Sequence, residues 1–291
     1  MSALVACHIF DEAGEELYTH NAFSRAFLGP DSRNGFKELY DLICKGTYAL
    51  PEFLEKTGWQ NPEDYNNSAF HLGQHTHLGF WEFLEADQER MQAFNSGMRS
   101  QATVRELDNP YPFEAELNKD PPKGGEVVLV DVGGGRGHTL ERIKERFPGL
   151  KGRLVLQELE MVIKDAIAEG LSPDIEPQAT SFFEPNPIKN ARAYFFRRVL
   201  HDWSDPVCLK ILSNTVPSMG PKSRVLIAEY ELPAVGAPAK LALQDFNMMA
   251  VGGMERTEQQ WRELLDKAGL KMVKVWRADH TNFAVVEGRV K

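Results

Sequence analysis

The stretch Val199-Leu200-His201-Asp202-Trp203-Ser204-Asp205 follows residues 192–198, a run with the composition of a strand. A histidine just past a strand end suits acid–base work. Ligands of open α/β sheets bind outside the carboxyl ends of the strands, and imidazole titrates near neutrality. Glu229 closes a second apolar run, Val225–Ala228. A carboxylate there can accept a hydrogen bond from the far ring nitrogen of His201, fixing its tautomer and supporting the imidazolium. Glu255, in Gly252-Gly253-Met254-Glu255-Arg256-Thr257, offers a second support or complements a helix N-terminus. Plainer readings stay open. Ser204 and Asp205 are good N-caps before Pro206, and Glu229 can be a sheet-edge acid paired with an arginine.

A second cluster binds rather than reacts. Val127–Val132 is apolar and β-branched apart from Asp131, and Gly133, Gly134, Gly135 and Gly137 follow. Leu140, Ile143 and Phe147 then mark one face of a helix ended by Pro148-Gly149. Strand, glycine turn and helix form the opening unit of a doubly wound nucleotide-binding sheet. The spacing is not the dinucleotide fingerprint, because His138 stands where a third glycine is required. A second strand, Gly152–Leu156, runs into Gln157-Glu158, and Glu158 lies 21 residues after Gly137. An acid at that distance can accept hydrogen bonds from ribose hydroxyls. The pair reads as a site for an adenosine-bearing cofactor; a bare turn is the alternative.

These residues require a parallel α/β sheet to position them. Strands near 127–132, 153–157, 176–180, 192–198 and 224–229 alternate with helices over 206–219 and 239–249. Thr257-x-x-Gln260 is a capping box for a helix with Trp261, Leu264 and Leu265 on one stripe. Met272–Trp276 and Phe283–Glu287 form a hairpin at the sheet edge. The part before it is smaller and mainly helical. It opens with a hairpin turning at Ala13-Gly14, followed by helices over Asn21–Phe27, stopped by Gly29-Pro30, and over Phe36–Lys45. Another runs over Leu50–Gly58 with Pro51 near its first turn, and a long one over His77–Met98. Asn109-Pro110-Tyr111-Pro112 and Asn118–Gly125 read as linker, dividing the chain into 1–108 and 109–291. His71, His75 and His77 invite a metal reading, but no acid completes a ligand motif, and no metal is expected.

Composition narrows the partners. The 291 residues carry 33 basic and 42 acidic side chains, a formal charge of −9, which disfavours nucleic acid and anionic membranes. No apolar stretch approaches the length of a membrane span, and the first residues lack the basic start of a secretory signal. Three scattered cysteines, Cys7, Cys44 and Cys208, suit reduced thiols and a cytoplasmic setting.

Three ordered segments carry a family resemblance. Leu129-Val130-Asp131-Val132-Gly133-Gly134-Gly135-Arg136-Gly137, Arg198 through Asp205, and Gly253-Met254-Glu255-Arg256-Thr257 resemble the caffeate/flavonoid-type small-molecule O-methyltransferases, in particular fungal natural-product members. The resemblance implies S-adenosylmethionine as cofactor and a Rossmann-like class I methyltransferase sheet. That sheet has seven strands, all parallel except the last, in Phe283–Glu287. Asp131, Gly133 and Gly135 would line the methionine side of the cofactor, and Glu158 would hold the ribose. Ser181, beside Phe182, replaces an aspartate near the adenine amino group; Arg197 replaces a lysine; Trp203 would stack on adenine. His201 would be the general base, flanked by Glu229 and Glu255. Asp202, Phe94, Met98, Met248 and Met249 would face an aromatic or polyketide-like substrate, with core packing the alternative for the apolar four. Glu16–Ser24 and Phe94–Met98 also resemble family segments, so 1–108 reads as a partial winged-helix region. A homodimer is expected where that region is complete in the native protein. A pericyclase-like relative that transfers no methyl group, or a non-catalytic shortened homologue, is the alternative.

Overall fold

The computed structural model describes residues 1–94, 109–119, 124–279 and 281–291. The chain forms two compact units. One holds Met1–Gln60 and the chain from Asn66 onward; the other holds Asn61–Tyr65 and the C-terminal part to Lys291.

In the first unit, α1 (Ser2–Ala6) precedes an antiparallel hairpin of β1 (Phe10–Gly14) and β2 (Leu17–His20). The hairpin turns at Glu15-Glu16, two residues later than expected. Gly14 is still paired with Leu17 in the ladder, and Glu16 takes the positive φ of +56°. Helix α2 (Ala22–Ala26) is capped by the Asn21 side chain. Pro30 opens α3 (Pro30–Glu38) rather than stopping a helix, as its fixed φ and missing N–H allow at N1. A π-helical run, Leu39–Cys44, feeds α4 (Lys45–Thr57), so Pro51 lies inside a helix and not at its start. Helices α5 (Ala69–Gln74) and α6 (Phe80–Glu85) follow. The long helix expected over 77–98 breaks at 86–87, where Asp87 Oδ1 accepts from Arg90 N at 3.1 Å and helix resumes over 88–94. His71 Nδ1 accepts from Ser68 N at 3.1 Å, and His75 closes α5 in the left-handed conformation. The two histidines therefore share no helical face.

The second unit opens with α7 (Phe113–Leu117) and is built on one sheet. The strands are β3 (Val127–Val132), β4 (Arg153–Glu158), β5 (Ile175–Ala179), β6 (Ala193–Arg197), β7 (Arg224–Leu232), a two-residue β8 (Arg256–Thr257), β9 (Leu270–Arg277) and β10 (Phe283–Val290). Between them lie α8 (His138–Arg146), α9 (Glu160–Ala168), α10 (Asp205–Thr215), α11 (Ala239–Val251) and α12 (Glu258–Lys267). The order across the sheet is β5-β4-β3-β6-β7-β10-β9, with β8 beside β7. β3, β4, β5, β6 and β7 pair in parallel, and β10 runs antiparallel to both neighbours. The α/β sheet with an antiparallel last strand is the one expected. The terminal hairpin differs in one respect: β10 inserts between β7 and β9, so β9 takes the edge.

Every residue of β3 is buried, as a strand covered on both faces must be. Strand order reverses around β3, with β4 on one side and β6 on the other, which opens the crevice where open sheets bind ligands. Thr257 Oγ1 accepts from Gln260 N at 3.3 Å, and Thr257 N donates to Gln260 Oε1 at 2.8 Å, completing the expected capping box. Trp261, Leu264 and Leu265 then bury the inner face of α12, each worth about 1.5–3 kcal/mol of transfer free energy. Of the two stretches read as linker, residues 109–112 are instead packed into the core, whereas the described ends of 118–125 stay half-buried or exposed. Tyr111 and Phe113 are fully buried, and the Tyr111 hydroxyl accepts from Arg224 Nη1 at 2.8 Å.

Candidate active site

The chain leaves β6 at Arg197, passes through Arg198 at φ +56°, and tightens into a 3₁₀ turn, Leu200–Asp202. A short turn leaves backbone N–H groups without internal partners. Glu229 Oε1, from the neighbouring strand β7, accepts from Val199 N at 3.0 Å, Leu200 N at 3.1 Å and His201 N at 3.4 Å. Glu229 therefore holds the backbone of the turn and not the ring, which differs from the sequence expectation. The ring belongs to Glu255, whose Oε1 lies 2.8 Å from His201 Nδ1. Nε2 lies 3.3 Å from Asp202 Oδ1. Gln244 Nε2, on α11, donates to the same Glu255 oxygen at 2.8 Å.

Two residues that sequence reasoning passed over complete this arrangement. A Cβ at Gly253 would overlap the His201 carbonyl oxygen, so only glycine allows Met254 N to donate to that oxygen at 2.8 Å. Arg256, fully buried, donates to Leu200 O at 3.0 Å, Trp203 O at 2.8 Å and Asp205 Oδ1 at 2.9 Å. Its signal in the sequence is weak: a lone arginine after an acid. Ser204 and Asp205 do not cap α10 with their side chains. The Ser204 hydroxyl donates to Glu63 O at 2.7 Å, and Asp205 pairs with Arg256.

Burial and the Arg198 charge pull the His201 pKa down, but Asp202, Glu229 and Glu255 outweigh them and hold it above its ordinary value. Burial raises Glu229 and Asp202. Burial acts the same way on Glu255, yet the charge and hydrogen bond of His201, with Arg198 and Gln244, bring it below the usual carboxylate range. His201, Glu229 and Glu255 present donor atoms within 4.8 Å of one another, a set able to hold a cation. Nδ1 is already committed to Glu255, which leaves one free oxygen on each glutamate, Glu229 Oε2 and Glu255 Oε2.

The glycine turn lies at the ends of β3 and β4. Gly133 and Gly135 take φ of +71° and +59°, and a Cβ on Gly135 would meet nothing within 4 Å. A Cβ on Gly134 would overlap the Asp131 carboxylate and Leu156, a constraint the spacing did not reveal. Both Asp131 oxygens are buried without a hydrogen-bond partner among the described residues. Burial pushes that acid up to about 7, partly offset by Arg197. Glu158 accepts from Leu159 N at 2.7 Å and from the Gly135 backbone; burial still raises it. An orphaned acid, an open glycine and a second acid fit a ligand with a cationic end and hydroxyls, as S-adenosylmethionine has.

The aromatic side is crowded. Phe182 borders Gly133, and Ser181 Oγ accepts from Phe183 N at 3.2 Å. Trp203 is only 4% exposed, with its ring 5.1 Å from Phe183 and 4.7 Å from Tyr65, so it presents no open face for stacking. Met248 and Met249 are half-buried on α11, the helix that supplies Gln244. Phe94 packs edge-on against Phe80 and Trp81 within the first unit. Met98 lies outside the described residues.

Residues 60–271 match a family model described as an O-methyltransferase domain. The chain belongs to this O-methyltransferase family. The methyltransferase is 42% identical over 288 residues to O-methyltransferase GME11366 of Pestalotiopsis microspora, covering 99% of this chain and 71% of that protein. It superposes on OxaC in complex with S-adenosylhomocysteine and oxaline at a TM-score of 0.92 and 35% identity, covering 100% of this chain and 74% of that one. A pericyclic-reaction enzyme superposes at a TM-score of 0.90 and 27% identity, covering 100% of this chain and 75% of that one. The protein is an S-adenosylmethionine-dependent O-methyltransferase acting on a natural product, as the resemblance implied. Among the described residues, no helix is long and apolar enough to cross a membrane.

Proposed function

We propose that the methyltransferase acts on a phenolic hydroxyl of a small aromatic or polyketide-like compound, with His201 as the general base. The observation that carries this reading is the 2.8 Å contact between Nδ1 and Glu255. Glu255, held low, is ionised and can only accept, so the ring proton sits on Nδ1 and the lone pair on Nε2. S-adenosylmethionine, when bound, supplies an electrophilic sulfonium methyl group. A phenol near pKa ~10 is a poor nucleophile until it loses its proton. Nε2 would take that proton from the phenol oxygen, which makes the oxygen able to take the methyl group from sulfur and leave S-adenosylhomocysteine. Asp202 and Glu255 would stabilise the imidazolium. Glu229 keeps the turn, and with it the ring, in place.

Asp131, Gly133 and Gly135 would hold the methionine end of the cofactor, Glu158 its ribose, and Ser181 and Phe182 its adenine. Arg197 would balance the Asp131 charge, and Trp203 would back Phe182. Asp202, Met248 and Met249 would meet the acceptor, and residues 109–291 would form the catalytic domain.

A homodimer through the first region fits its exposed Phe23, Leu28, Tyr48 and Trp59. A cytoplasmic setting fits three free cysteines. Incubation of the purified protein with cofactor and a panel of phenols, read by release of S-adenosylhomocysteine, tests the main reading. No release with any phenol of the panel would overturn the phenolic reading. Light scattering tests the dimer.

A further inference from the structure

Arg198 is the anomaly of the site. It is half-buried, and its Nη1 is fully buried, with no hydrogen-bond partner among the described residues. Other buried cations near the turn behave differently: Arg256 places its guanidinium on two carbonyls and a carboxylate. The acids around Arg198 are already engaged elsewhere. Glu229 Oε1 serves the turn backbone, Glu255 Oε1 serves His201 and Gln244, and Asp202 Oδ1 faces His201 Nε2. What Arg198 does contact is the face of Tyr230, its guanidinium carbon 5.1 Å from the ring centroid.

The backbone repeats the message. Arg198 N donates to Ala228 O at 3.1 Å, extending the β6–β7 ladder by one residue, yet Arg198 sits at φ +56°. A non-glycine residue in that region is strained, and such residues cluster at ligand clamps. A guanidinium nitrogen buried without a hydrogen-bond acceptor is costly, and the planar fork matches a carboxylate or other anionic oxygen. Beside it, Glu229 Oε2 and Glu255 Oε2 are also buried without partners. One unused donor and two unused acceptors surround the same histidine.

We propose that Arg198 is a substrate-binding residue that selects acceptors carrying a second, negatively polarised oxygen, a carboxylate or a carbonyl, in addition to the hydroxyl that is methylated. The proposal rests on the acceptor reaching His201, as argued for the phenol reading. The free oxygens of Glu229 and Glu255 can accept from further hydroxyls of the same compound, so the preferred class is a polyoxygenated, acidic phenol. Positive charge at Arg198 also favours the ionised phenol, the form that attacks.

Calorimetry on the full chain, loaded with S-adenosylhomocysteine, reads this without methyl transfer. The probes are 1-naphthol, 1-hydroxy-2-naphthoate and 1-hydroxy-2-acetonaphthone. The wild type is expected to bind the carboxylate or the ketone at least ~10-fold more tightly than 1-naphthol. Arg198→Met should bring all three within about twofold, while Arg198→Lys recovers part of the preference and neither variant changes cofactor affinity. No preference in the wild type, or one that survives Arg198→Met, overturns the proposal. Should Arg198→Met fail to fold in a melting experiment, Arg198→Lys decides: its preference must fall below that of the wild type. The phenol reading fails separately, through an absence of S-adenosylhomocysteine release in the presence of cofactor and phenols.

Discussion

Asp131, near the end of β3, and Glu229, within β7, are equally buried, each 1% exposed, yet their surroundings differ. One oxygen of Glu229 accepts from three backbone N–H groups, and the histidine it positions is held by Glu255. Both oxygens of Asp131 lack a partner among the described residues, and Gly135 of the following turn opens onto space. On the histidine side the protein itself holds the turn and the ring, so the proposed proton acceptor is in position before any ligand arrives, although Glu229 Oε2, Glu255 Oε2 and Arg198 Nη1 keep no partner among the described residues. The glycine side carries a buried, unpartnered acid whose cost a cationic ligand would relieve on binding.

The strongest way to break this contrast is at the base. His201→Ala should lower the methylation rate by about 10²–10⁴-fold while leaving cofactor affinity unchanged. A comparable loss of cofactor binding, in protein that still melts cooperatively, would show that the two sides are not separate.

Glu255→Gln comes next. A charge-assisted hydrogen bond is worth roughly 1.5–3 kcal/mol, so the rate should fall about 10–100-fold. The base works only when neutral. Because carboxylates hold His201 above 6.5, the acid limb of kcat/KM in the wild type should lie above pH 6.5. Removing one negative charge should move that limb to lower pH. A limb that stays in place would take Glu255 out of the account.

Asp131→Asn probes the other side and should act in the opposite direction on stability. Cofactor affinity should weaken by roughly tenfold, the loss of one charged partner. In the unfolded chain the acid ionises above about 3.8; in the folded protein it stays protonated up to about 7. The unfolded state is therefore increasingly favoured as pH rises between those values, and the asparagine variant escapes that trend. Melting of the ligand-free proteins at pH 5 and pH 8 should show the wild type losing more stability than the variant. Equal losses would mean that Asp131 is not strained by burial.

Ser181→Asp should have the smallest effect. Restoring the acid that the family resemblance places near adenine should tighten cofactor binding a few-fold, the net worth of one hydrogen bond. Calorimetry giving weaker binding would place Ser181 away from the adenine, where its hydroxyl merely accepts from Phe183 N.

Local patterns were legible where one segment decides its own structure. The run Val127–Val132, the glycine turn and the capping box at Thr257–Gln260 need only neighbours within a few residues, and all formed as read. Signals depending on partners beyond the segment misled. Pro51 looked like a helix start because nothing local reveals that the preceding π-helical run already leads into it. Tyr111 looked like linker because prolines flank it, whereas Arg224, 113 residues away, takes it into the core. Trp203 looked exposed for stacking because its aromatic neighbours Tyr65 and Phe183 are distant in sequence.

By itself the sequence determined the alternation of strands and helices and the family, because periodicity, glycine and short motifs act over a few residues. Tertiary structure decided the division of labour between the two glutamates. Glu229 took the backbone of the turn and Glu255 took the ring, 54 residues from its partner. The sequence marked Glu229 as an acid closing an apolar run and Glu255 as an acid before a capped helix, and left open which of them would support the ring. Only the adjacency of β7 to β6, and the close approach allowed at Gly253, fixed which oxygen each polar hydrogen would meet.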